Sequence, residues 1–463
     1  MIYKEGVIVL TGSLLIVVFL ISITILLVTI IKFKLNAFVA LLLTSLITAL
    51  LVKMPITEIA NTISAGFGGT LAGIGIVTGL GVMLGRFLFE SGGIEVMANT
   101  ILKKFGVKNA PSAIAVSGFL TGIPVFGDVV YIMFAPMLRV LSQKTKISMV
   151  CFAAVISIAT TCTYAMVIPT PGPLAVAEML KIDIGVFFFY ALIVACFGMG
   201  IGVLYGKFLN KQDHQKGHFY TFEDIEEDEK ALAIDQNRKK PSFFRALSIL
   251  LVPIILILLG SFTPLVLGQE SPITHFCKFI GNKNVAMLIG VICAALNSLP
   301  YLKKPVATIM NEAADQVGLI LLITGAGGAF GKILQSTGIA DYIAGTLSGF
   351  HIPILILCFV ISQIIRCAQG STTVALLTTT SILSTTIAHS GVSPFLCAIA
   401  ICAGGIGLSL PNDSGFWAIS RFFKITVPDT IRAWTIGGFV AGVTCLIIIS
   451  LISMFQQLLP GLI

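Results

Sequence analysis

Run after run of about 20 apolar residues fixes the class of this chain, because a helix of that length spans the hydrocarbon core of a bilayer. We read spans at residues 6–31, 36–52, 66–89, 147–168, 184–205, 244–267, 285–299, 317–334, 393–410 and 434–455. Of 463 residues, 56% are apolar and 11% charged, and the mean hydropathy of +1.02 is not that of a soluble protein. The expectation is an all-α polytopic membrane protein whose first partner is the lipid bilayer. The 6–31 run is too long for a signal-peptide core and only Lys4 precedes it, so it reads as a retained first span. The net charge of +8 reads as membrane topology, not as a nucleic-acid footprint. The ten cysteines lie mostly within apolar runs and form no C-x-x-C pair. They read as small packing residues, and neither a metal nor a cofactor is expected.

Polar interruptions inside apolar runs are the informative positions. Non-helical backbone persists in hydrocarbon only where it is buried in protein or lines a wet cavity. Residues 353–388 read as a re-entrant hairpin whose tip carries Arg366, Gly370, Ser371, Thr372 and Thr373; residues 110–140 read as another, with Gly122, Gly127 and Asp128 at its tip. Two spans are broken. In one, Thr163 and Tyr164 precede Pro169-Thr170-Pro171-Gly172-Pro173, and three prolines within five residues forbid a helix interior. In the other the break is Pro411-Asn412-Asp413-Ser414-Gly415.

These features occur twice in the same order. An offset of 245 takes Ser91 to Ser336, Gly93 to Gly338, Ser117 to Ser362 and Val129 to Val374; an offset of 246 pairs Thr78, Gly79, Gly81 and Gly85 with Thr324, Gly325, Gly327 and Gly331. Each half reads as about five transmembrane helices plus one re-entrant hairpin. An odd number of spans inverts the second half, giving a first repeat at 1–206, a charged linker at 207–243 and a second repeat at 244–463. Inverted repeats with interrupted segments point to a secondary transporter whose site lies at the repeat interface. The threading places 22 of the 29 lysines and arginines on one side, which the positive-inside rule makes cytoplasmic. Both termini are then expected outside.

Four interruptions should therefore converge at mid-membrane. Arg366 is the one basic residue deep in an apolar segment; it reads either as a functional charge or as an arginine snorkelling from a helix end. Half-helix N-termini suit an anionic group. Hydroxyls and amides at Ser371, Thr372, Thr373 and Asn412 suit a polyhydroxylated molecule, and Arg366 offers a bidentate carboxylate contact. The reading is a carrier of small hydroxylated or amino carboxylates, anionic or zwitterionic. Asp413 and Asp128 are the carboxylates at interruptions: each reads as a proton-coupling group or as a helix cap. No H-E-x-x-H pair or G-x-S-G nucleophile motif points to an intramembrane enzyme, and inverted halves with two occluding hairpins disfavour a channel.

Gly66-Phe67-Gly68-Gly69-Thr70-Leu71, Ser91-Gly92-Gly93, the Pro169–Pro173 motif, Gly370-Ser371-Thr372-Thr373-Val374-Ala375 and Leu410-Pro411-Asn412-Asp413-Ser414-Gly415-Phe416-Trp417 resemble the gluconate permease family over almost the whole chain outside the linker. The resemblance implies an inner-membrane proton symporter for gluconate or a related sugar acid. D-serine carriers are also members, sodium coupling occurs in the wider superfamily, and a homodimer is compatible with it. Members often carry histidines near the positions of Tyr164 and Thr170, and this sequence has none there. The expected substrate residues are Arg366, Gly370, Ser371, Thr372, Thr373, Asn412, Thr163, Tyr164, Thr170 and Gly172, with Asp413 and Asp128 for coupling.

Overall fold

The computed structural model describes residues 2–4, 7–9, 13–33, 35–106, 109–123, 127–222, 225–226, 239–339, 353–388, 390–409 and 413–462. Apart from a short hairpin pairing Ile2–Lys4 with Val7–Val9, these residues build helices. The first half contains α1 (Ser13–Ile31), α2 (Ala37–Leu51), α3 (Ile56–Glu90), α4 (Gly93–Phe105), α5 (Ala110–Gly122), α6 (Gly127–Thr145), α7 (Met149–Met166), α8 (Pro171–Met179) and α9 (Ile184–Lys216). The second contains α10 (Phe243–Leu267), α11 (Pro272–Ile280), α12 (Lys283–Ser298), α13 (Val306–Ser336), α14 (Ile354–Gln369), α15 (Thr372–Ala388), α16 (Pro394–Gly404), α17 (Ser414–Phe422) and α18 (Val427–Ser453), the last with a π-helical turn at Ile431–Ile436. Residues 340–352, which follow the paired Gly338 in the second half, lie outside the described residues.

The interruptions fall where the sequence places them. The expected hairpins divide between α5 and α6 and between α14 and α15, and the spans expected to be broken divide between α7 and α8 and between α16 and α17. Among the described residues, α7 with α8, α9, α10, α12, α13 and α18 are long and apolar enough to cross a bilayer. A seventh is α3, bent by 47° between Ile56–Gly73 and Gly75–Glu90. That is fewer than the ten spans expected. One reason is that α16 and α17 reach only roughly 16 and 13 Å at 1.5 Å per residue, about half the hydrocarbon thickness each. The first span also differs: its helix starts at Ser13, because β-branched Val7, Ile8 and Val9 join the extended hairpin.

Two helices form the centre. Almost every residue of α7 is buried, and so is α16 from Leu396 to Gly404. Neither carries a charged residue, as suits a helix enclosed by other helices. On α9, Gly198, Gly202 and Gly206 face Cys162, Ile158 and Val155 of α7, so the bare backbone of one helix seats the side chains of the other. The long helices α3 and α13 cross at Gly66 and Gly328, where a Cβ on either would collide with the partner backbone. With lipid outside and no water to exclude, such close packing holds helices together.

Candidate functional site

Four helices begin at one cavity of about 220 Å³. Its wall includes Gly127 at the start of α6, Pro171 and Gly172 at the start of α8, Thr372 and Thr373 at the start of α15, and Gly415 in the first turn of α17. The first N–H groups of a helix have no intrahelical acceptor and carry the positive end of its dipole, so this convergence suits an anionic group. At α8 the prolines sharpen the effect. Pro171 and Pro173 have no N–H, which leaves Gly172 as the donor among the first three positions. At α15, Ser371 Oγ accepts from Val374 N at 3.4 Å and Ser371 O from Ala375 N at 3.0 Å, leaving the amides of Thr372 and Thr373 for a ligand. Gly370 adopts φ 72°, the left-handed conformation that lets the chain turn from α14 into α15.

The charge comes from Arg366, in the last turn of α14 and 1% exposed. Its Nη2 donates to Asp413 Oδ2 at 2.6 Å and its Nε to the Gly405 carbonyl at 3.2 Å, while Nη1 has no hydrogen-bond partner among the described residues. Arg366 therefore does not snorkel. Asp413 has two duties: Oδ1 caps α17 by accepting from Gly415 N at 2.9 Å, and Oδ2 also accepts from Ser409 Oγ. Gly405 O, an orphan carbonyl at the end of α16, also accepts from Thr372 Oγ1 at 3.3 Å, and Thr372 in turn reaches Tyr164 OH at 3.3 Å. A buried pair of opposite charges is neutral as it stands, and it is strongly destabilised when either partner is removed.

Most of the expected substrate residues share this wall: Arg366, Gly370, Ser371, Thr372, Thr373, Tyr164, Thr170 and Gly172, together with Asp413. Thr163 does not. It faces Gly122 of α5 and donates to Ala159 O at 2.8 Å, because adjacent positions on α7 point about 100° apart and Tyr164 takes the cavity side. Asn412 lies outside the described residues; Asp128 sits in the first turn of α6, and its side chain lies outside them too. Three cavity residues escaped the sequence reading: Tyr131, Trp434 and Gly415 as a ring contact. Tyr131 stands one turn after Gly127 on α6, and that i, i+4 spacing was the available signal. Trp434 arrives from α18 and meets the Tyr131 ring edge-on at 6.0 Å. A larger cavity of about 540 Å³ lies elsewhere, beside the paired Glu178 and Lys283, and contains none of the expected residues. No cluster able to hold a metal ion occurs among the described residues.

Comparison with known proteins agrees with this architecture. A family model described as GntP family permease matches residues 14–455. The inner membrane permease YgbN of Escherichia coli (strain K12) is 34% identical over 433 residues, covering 90% of this chain and 94% of that protein. A gluconate permease of Bacillus subtilis (strain 168) is 32% identical, covering 87% and 91%, and the high-affinity gluconate transporter of Escherichia coli (strain K12) is 30% identical, covering 90% and 94%. Among solved structures, the fold is similar to the YdaH transporter of Alcanivorax borkumensis, with a TM-score of 0.65 and 14% identity over 88% of this chain and 91% of that one. MtrF of Neisseria gonorrhoeae gives a TM-score of 0.64 and 15% identity over 94% and 97%. This chain is a multi-pass membrane protein and belongs to the GntP family of permeases.

Proposed function

We propose that this protein is a proton-coupled symporter importing gluconate or a related small hydroxy acid across the inner membrane. The observation that carries the reading is Arg366 Nη1, without a hydrogen-bond partner among the described residues, beside four helix N-termini at one cavity. A carboxylate satisfies those donors, and the names of the relatives supply the sugar acid. Charge balance supports the proton. Arg366 and Asp413 together are neutral, so an entering anion leaves the site one negative charge in excess, in a medium where uncompensated charge is costly. A proton on Asp413 restores neutrality and frees Arg366 to bind the substrate carboxylate. Asp128, at the start of α6, is the second candidate for that proton.

The proposal includes two inverted halves, 1–206 and 244–463, joined by a cytoplasmic linker at 207–243, with both termini outside. Two features support it: the same order of long helix, hairpin and broken span in each half, and the pairing of charges. Arg86–Glu312, Lys304–Glu312, Lys240–Glu95, Arg432–Asp213 and Arg432–Asp429 each join groups assigned to the cytoplasmic side, and Lys283–Glu178 joins two assigned to the outer side.

The test is uptake of labelled gluconate, D-glycerate and D-serine into proteoliposomes, with proton and sodium gradients imposed separately. Gluconate accumulation driven by the proton gradient alone is the expected result. Accumulation driven only by sodium replaces the coupling ion, and preference for D-serine replaces the substrate class.

A further inference from the structure

Arg366 Nη1 is not the only orphaned donor at the cavity. Trp434 lines the same wall, is 5% exposed, and its Nε1–H is buried with no hydrogen-bond partner among the described residues. An indole nitrogen only donates, and burying it unpaired costs free energy that a ligand oxygen can restore. The surroundings hold the ring in place. It stands in the π-helical turn Ile431–Ile436, a geometry frequent at functional sites. Its neighbour Thr435 donates to Ser409 O, tying that turn to the break between α16 and α17. Tyr131 packs edge-on against one side of the ring. Gly415 meets the rim of the ring, where a Cβ would lie 2.9 Å from Trp434 Cζ2 and 3.4 Å from Asp413 Oδ1. Gly415 thus lets the ring come up beside the ion pair, and any larger residue displaces it.

The wall therefore runs from Arg366 through Asp413 and Gly415 to Trp434, with an unsatisfied N–H at each end. A plain monocarboxylate satisfies one of them. An acid that carries a further acceptor oxygen satisfies both. We infer that Trp434 is the specificity-determining residue for hydroxylated acids, donating its indole N–H to a substrate hydroxyl oxygen while the substrate carboxylate lies on Arg366. The inference rests on the carboxylate reading above and names which residue distinguishes members of that class.

The experiment is competition of labelled gluconate uptake by a set of monodeoxygluconates, each lacking one hydroxyl, in the wild type and in Trp434→Phe. Against the wild type, one analogue should compete about tenfold less well than gluconate, since it leaves the indole N–H unpaired. Against Trp434→Phe, which keeps a ring but has no N–H, that analogue and gluconate should compete equally. If Trp434→Phe weakens every analogue by the same factor, Trp434 is only a packing residue and the inference is overturned. If neither gluconate nor any analogue is taken up or competes in the wild type, the carboxylate reading itself fails. A second measurement leaves Trp434 untouched. The chain has two tryptophans, so Trp417→Phe makes Trp434 the single emitter. Gluconate should shift its emission with the half-saturation seen in transport, and unchanged emission at saturating gluconate overturns the inference.

Discussion

The broken span of the first half and that of the second reach one cavity with different chemistry. At α7–α8 the chain turns through prolines, and its polar groups are neutral: Tyr164 accepts from Thr372, and Thr170 donates to Val167 O within its own turn. At α16–α17 the turn runs through glycines and a carboxylate, and its orphan groups engage a charge: Gly405 O and Asp413 both accept from Arg366. Matching backbone architecture thus does not bring matching chemistry. The first broken span contributes shape and one backbone amide at Gly172, the second the carboxylate and the carbonyl that hold Arg366. Substitutions in the second half should therefore change whether transport happens, and those in the first only how well.

The largest effect is expected at Arg366. Arg366→Gln orphans the buried Asp413 and should cost about 3–5 kcal/mol of stability together with roughly 100-fold or more of uptake. Combining it with Asp413→Asn removes the orphaned charge, so thermal unfolding should return most of the way to wild type while uptake stays lost. A double variant as unstable as the single one would mean that the pair does not set stability. Arg366→Lys keeps the charge without the planar fork and should still transport poorly.

Asp413→Asn alone comes next. It leaves α17 with a capping oxygen but removes the carboxyl that the proposed coupling needs, so proton-driven accumulation should vanish while gluconate exchange across the membrane remains measurable. Loss of both activities in a folded protein would reduce Asp413 to a cap or substrate contact. Persistence of both, with normal proton dependence, would move the coupling to Asp128.

In the first half, Tyr164→Phe removes an acceptor of Thr372 and should raise KM roughly three- to tenfold, the worth of one neutral hydrogen bond, with proton dependence unchanged. A changed proton dependence would break the division between the halves. The smallest effect belongs to Thr163→Ala, whose hydroxyl bonds its own helix; substrate KM should stay within about twofold.

How much of this was legible in sequence depends on whether local chemistry or distant packing decides the position. Pro169, Pro171 and Gly370 interrupt helices by their own covalent nature and Asp413 is a ready cap, so three of the four interruptions could be read directly from these residues. Which face a side chain takes is set by the neighbours. Thr163 and Tyr164 look alike as polar residues before a break, yet Gly118 and Gly122 of α5 leave room for Thr160 and Thr163, and Tyr164 is turned to the cavity. That small-residue spacing on α5 was a readable cue. Trp434 had none nearby, because it meets Gly415 and Tyr131 only after the chain has folded, and a π turn shifts its phase from ordinary helical spacing. The length of α3 was underestimated: the sequence reading starts that span at residue 66, but the helix extends back to Ile56.

The cap on α17 has a mechanical side. Nine residues are too few for a helix to persist unaided. This one is pinned at both ends by charge: Asp413 holds the first turn, and Arg139, from α6, donates to the Phe422 carbonyl at the last. It is a strut about 13 Å long, and one of its pins is the carboxylate that faces the cavity. The side chain that fixes the start of this helix therefore belongs to the cavity wall, while its far end is held by α6.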